Sequence, residues 1–174
     1  MPGAGAAPRV HRKVYGVDFS PYLIAVATRL AAEQALDRRI DFRVADTRSL
    51  DFPSGQFDAV IAHTLMSHVD DPLAAIKEAV RVLKPGGVIG IFDGDYASLT
   101  FGHPNPTQAK ANDEAIINAI VTNPRVMRDM PRLLRAAGLT LVKSFSYVLA
   151  EIGVPTSGYQ RLRHFGASFQ PQER

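Results

Sequence analysis

Apolar and polar positions follow two different periods along this chain, and the changes of period divide it into elements. Val14, Tyr15 and Val17 form a short β-type run that ends on Asp18. Ser20 then stands as an N-cap and Pro21 as the first helical residue, where a missing N–H costs nothing. Leu23, Val26, Ala27 and Leu30 fall on one face of a 3.6-residue repeat, so 21–36 reads as a helix. Ile40 to Asp46 alternates as a strand does and again ends on an acid. Phe57 to His63 is a buried-type strand, rich in apolar and β-branched residues. Asp71-Pro72 opens a helix whose apolar face is Leu73, Ile76, Val80 and Leu83, and Pro85-Gly86-Gly87 stops it. Val88 to Phe92 is a further strand, followed by Asp93-Gly94-Asp95.

Downstream, helix 107–122 gathers Ile116, Ile117, Ile120 and Val121 on one side, and helix 125–137 gathers Met127, Met130, Leu134 and Ala137. Gly138 is placed as the left-handed residue that ends the second. Residues 139–149 alternate as a strand. The β-α-β-β-α-β order predicts an α/β fold with parallel strands and right-handed crossovers. Strands 40–45 and 57–63 are joined by a loop alone, which calls for a helical turn near 47–50. The chain reads as one domain over 13–155, with a flexible N-terminus at 1–12 and a C-terminal helix or tail at 156–174. Gly3 and Gly5 look like a phosphate loop, but no strand feeds them and Pro8 interrupts any helix.

Composition narrows the chemistry. The chain has no cysteine, which excludes disulfides, a thiol nucleophile and cysteine-ligated zinc. Its net charge is +3 and its basic residues are scattered rather than interleaved with aromatics, so nucleic acid is not implied as a partner. No apolar run reaches the roughly 18 residues of a membrane span, and no hydrophobic signal region is present, so a cytoplasmic location is the expectation. His63 and His68 stand five residues apart, a spacing that suits no zinc motif, and no metal is expected.

In open α/β sheets ligands bind outside the carboxyl ends of the strands, where an acid such as Asp18 can accept hydrogen bonds from both hydroxyls of a ribose. Four motifs occur in order: Gly16-Val17-Asp18-Phe19-Ser20-Pro21, Val44-Ala45-Asp46, Phe57-Asp58-Ala59-Val60 leading to His63, and Arg81-Val82-Leu83-Lys84-Pro85-Gly86-Gly87. Over about residues 13 to 150 the chain resembles the class I S-adenosylmethionine-dependent methyltransferases of the ubiquinone-biosynthesis-like, small-molecule type. The resemblance implies a Rossmann-like, mostly parallel open sheet with flanking helices, lacking the family's first strand with its glycine loop and its last antiparallel strand. It also implies S-adenosyl-L-methionine as cofactor and methyl transfer to a small-molecule acceptor.

Residue by residue, the resemblance puts Asp18 on the ribose hydroxyls, in a segment with Phe19 along the adenine and Ser20 beside it. Asp46 would accept from the adenine amine, with the backbone of Thr47 supporting the ring. His63 and Thr64 would line the methionine arm and the reacting methyl group. Catalytic residues are not named by these motifs; Asp93, Asp95 and Tyr96 are candidates to orient an acceptor or take its proton. Helices 107–122 and 125–137 are expected to cover the carboxyl edge of the sheet. A shortened, non-catalytic binding module and a nucleotide-dependent oxidoreductase are the competing readings. With the family's first strand missing, strand 13–18 is expected to pair directly with 57–63. The sheet order would then be 40–45, 13–18, 57–63, 88–92, 139–148.

Overall fold

A computed structural model describes residues 13–148. The expectations for 1–12, for the end of the domain at 149–155 and for the tail at 156–174 lie outside the described residues. The elements are β1 (Val14–Asp18), α1 (Pro21–Glu33), β2 (Ile40–Val44), β3 (Phe57–His63), α2 (Pro72–Val82), β4 (Leu83–Phe92), a 3-10 turn at Tyr96–Ser98, α3 (Pro106–Ile120) and α4 (Val126–Ala136). The local signals act as read. Ser20 Oγ accepts from Leu23 N at the start of α1, Asp71 Oδ1 accepts from Ala74 N at the start of α2, and a proline follows each cap. Gly138 has a φ of +79° at the end of α4.

The sheet departs from the expected order. Among the described residues there are two separate parallel pairs, β1 with β2 and β3 with β4. The expected ladder between 13–18 and 57–63 does not form. Those strands meet through side chains instead: the Tyr15 and Phe57 rings lie edge-on at 5.6 Å, and buried Phe52 packs edge-on against both. A ladder needs backbones about 4.8 Å apart along the whole run; a three-ring clasp at the amino ends imposes no such register. The segment 139–148 carries no regular secondary structure, so the fifth strand is also absent among the described residues. Val142 and Val148 are almost fully exposed. Alternation supplies a strand's pattern but not the neighbour that a strand must pair with.

Two connections also differ. No helical turn forms at 47–50; Ser49 N donates to Asp46 O at 3.0 Å and the two residues make an antiparallel bridge. Helix α2 ends at Val82 and β4 begins at once, so Leu83 pairs with Phe57 while Val88 pairs with Ala59. Lys84–Gly87 therefore bulge out of the pair, with Gly86 at a φ of +76° that favours glycine.

One hydrophobic core is built on a single face of the β3–β4 pair. Ala62 and Met66 pack with Ile76 of α2 and with Val126, Met130, Leu133 and Leu134 of α4. Helix α4 is thus a core helix whose apolar stripe packs against α2, while its Arg128 reaches Asp95 just past the carboxyl end of β4. Helix α3 buries none of its residues, and Ile116 and Ile120 stay exposed. Arg81 ties the loop before β3 to α2: its guanidinium donates to Leu50 O, Phe52 O and Glu78, while Glu78 accepts from Leu50 N.

Candidate cofactor site

The residues assigned to the cofactor lie at or just past the carboxyl ends of β1, β2 and β3. Asp18 closes β1, and its carbonyl accepts from Ala45 N at 2.9 Å, which carries the ladder one residue past β2 and sets Asp46 beside it. The Asp18 carboxylate is half-buried. Its Oδ1 accepts from Ser20 N at 2.8 Å, and its Oδ2 has no partner among the described residues. Ser20 spends its hydroxyl on capping α1. Phe19 is 80% exposed, so it does not belong to the core.

Asp46 is engaged. Its Oδ1 accepts from Arg48 N at 2.8 Å and Arg48 Nε at 3.0 Å, and its Oδ2 accepts from Nε at 3.1 Å and Nη2 at 2.8 Å. The Arg48 guanidinium, helped by the Arg48 N–H, holds the Asp46 carboxyl below the usual carboxylate range. Thr47 sits half-buried in the turn between them.

His63 ends β3 and stacks on Phe92 at the end of β4, with ring centroids 4.8 Å apart. Its Nδ1 shares a hydrogen bond with Thr64 Oγ1 at 3.0 Å. Thr64 has a φ of +50°, a strained conformation for a β-branched residue, and its N–H donates to Phe92 O at 2.8 Å. This strain marks the place where the chain leaves the strand.

The acids after β4 are already occupied. Asp93 accepts from Ser67 N, Ser67 Oγ and Gly94 N. Asp95 is held by Arg128 through three contacts of 2.7–3.0 Å. Neither is available as an acceptor-facing base in this arrangement. Ser67 was not legible from the sequence. It is fully buried, and its carbonyl accepts from Thr122 N and Asn123 N, so it joins the loop after β3 to the α3–α4 junction. Nothing in the Leu65–His68 pattern signals this, because the partners are 26 and more residues away. His68 meets the Tyr96 ring edge-on at 6.4 Å. No group of three metal-ligating residues occurs among the described residues. A shallow cleft among Lys13, Thr28, Ala31 and Asp37 lies at the other end of β1 and β2 from Asp18.

The arrangement is an acid at the end of β1, a second acid past the adjacent strand, and a shared carboxyl edge. A family model described as a methyltransferase domain matches residues 3–91, just over half of the chain. The chain belongs to the class I S-adenosylmethionine-dependent methyltransferases. Ubiquinone biosynthesis O-methyltransferase of Xanthomonas campestris pv. campestris is 35% identical over 85 residues, 48% of this chain and 35% of that protein. The solved structure of geranyl diphosphate methyltransferase with S-adenosylmethionine superposes with a TM-score of 0.51 at 22% identity, covering 74% of this chain and 49% of that one. At that identity the likeness is one of fold. The [4+2]-cyclase SpnF superposes with a TM-score of 0.52 at 26% identity, over 72% of this chain and 43% of that one. The family's fold therefore also carries a protein named for another reaction, and the reaction has to be argued from the site. This chain spans about a third of the length of curated relatives such as the ubiquinone enzyme. Among the described residues no helix is long and apolar enough to cross a membrane.

Proposed function

We propose that this chain is the cofactor-binding part of an enzyme that transfers a methyl group from S-adenosylmethionine to a small-molecule acceptor. The observation that carries the reading is Asp18: a half-buried carboxylate at a strand end, fixed through Oδ1 by Ser20 N, with Oδ2 open among the described residues. A carboxylate held in that way can accept from the paired hydroxyls of a ribose, so it fits the cofactor's nucleoside. Asp46 and the backbone of Thr47 are the groups for the adenine, with Phe19 exposed beside them to lie on the ring. His63 and Thr64 face the methionine arm from the end of β3. The bound cofactor supplies a methyl group already activated on sulfur. What the protein has to supply is in-line approach and proximity. The family match favours this reading over a nucleotide-dependent oxidoreductase.

Calorimetric titration with S-adenosylhomocysteine tests it. The 174-residue chain binds, and Asp18→Ala loses about tenfold or more in affinity, since a charged hydrogen bond is worth roughly 1.5–3 kcal/mol. Unchanged affinity in a folded Asp18→Ala chain sinks the assignment. Binding without methyl transfer, across a panel of small hydroxyl and amine acceptors, points to the non-catalytic module.

A further inference from the structure

Both oxygens of the Asp46 carboxylate are covered by Arg48. Two oxygens offer about four lone-pair directions, and Arg48 puts three N–H donors on them: its backbone N on Oδ1, Nη2 on Oδ2, and Nε shared between the two. A donor arriving from a ligand competes with the Arg48 guanidinium for the same two oxygens. The guanidinium has somewhere to go: its Nη1 already lies 3.8 Å from Asp70 Oδ2 in the loop before α2. Both acids are exposed enough to exchange partners at small cost, with side-chain exposures of 47% for Asp46 and 81% for Asp70.

We infer that Arg48 is a built-in competitor of the cofactor, which covers Asp46 in the empty chain and swings to Asp70 when a nucleobase amine takes its place. This rests on the reading of Asp46 as the adenine acceptor. The swing has a consequence beyond affinity. Asp70 belongs to the same loop as Ser67, which is bonded to Asp93 and to the α3–α4 junction. Arg48 therefore links the nucleoside side of the site to the loop that leaves His63 and Thr64. One further charge acts on this guanidinium, Asp71, and it adds to the pull of Asp70. An arginine that merely ordered the 46–49 turn acts with the opposite sign on binding, which makes the two roles separable.

The test is calorimetry with S-adenosylhomocysteine on the wild-type 174-residue chain, Arg48→Gln, Asp70→Asn and the double variant, with thermal unfolding as a check on folding. Arg48→Gln binds about 2–5-fold more tightly, Asp70→Asn about 2–5-fold more weakly, and Asp70→Asn in the Arg48→Gln background changes nothing further. The gap between wild type and Arg48→Gln narrows in high salt. Equal or weaker binding by a folded Arg48→Gln chain overturns the competitor role and leaves the methyltransferase reading standing. Absence of binding by all four folded chains overturns both.

Discussion

The β1–α1–β2 half and the β3–α2–β4–α4 half of this molecule are built from the same kind of unit, yet the core lies in one and the residues assigned to the nucleoside in the other. In the first, Ala31 is the buried residue of α1 and neither strand holds a fully buried side chain. In the second, Ile76 is fully buried and packs with six other buried residues from β3, the loop after it and α4. The residues assigned to the nucleoside, Asp18 and Asp46, sit in the first half; the core sits in the second. Polar ligands need carboxylates that keep water or a ligand in reach, and a tight core forbids that. The poorly buried half is knit internally by the β1–β2 ladder and meets the other through the Tyr15–Phe52–Phe57 clasp, whose Phe52 loop Arg81 and Glu78 fix to α2.

Three changes sharpen the contrast. The largest effect belongs to the core: Ile76→Ala should cost about 2–5 kcal/mol in urea unfolding, enough to threaten a domain of ordinary stability. A loss under about 1 kcal/mol contradicts the placement of the core. Next is the thin half. A Cβ at Gly16 would lie 2.5 Å from the Phe42 ring, so Gly16→Ala forces the ring aside. That overpacking should cost about 1–3 kcal/mol, and amide exchange should quicken in β1 and β2 before β3 and β4. Equal acceleration in all four strands means that the halves unfold as one.

The smallest change tests the anchor between them. The Arg81 guanidinium, and secondarily the Leu50 N–H, holds the Glu78 carboxyl below its usual 4.5. A carboxyl lowered in the folded state stabilises the fold above its unfolded value, and that contribution fades as the pH falls through the folded value. Unfolding midpoints measured from about pH 6 down to about pH 3 should therefore drop less steeply for Glu78→Gln than for wild type. Parallel curves show that Glu78 does not contribute.

Local pattern was enough for most elements. Ser20-Pro21 and Asp71-Pro72 announce helix starts because a cap is a contact two or three residues long. Asp18 and Asp46 stand at strand ends in the structure as they do in the pattern, for the same reason. The failures share one cause too: they depend on partners distant in the chain. Residues 139–148 alternate like a strand but have no neighbour to pair with among the described residues. Strand 13–18 meets 57–63 through rings rather than backbone.

By itself the sequence determined the α/β class, the parallel strands and the family, since periodicity, caps and short motifs are properties of neighbouring residues. Only the tertiary structure decided which acids remain available. Among the described residues Asp18 keeps an open oxygen, whereas Asp46, Asp93 and Asp95 are each claimed by a donor. Two of those donors, Ser67 and Arg128, come from elements 26 and 33 residues away. The charge of a carboxylate is written in its residue type, but its free lone pairs depend on what the fold brings within about 3 Å of it.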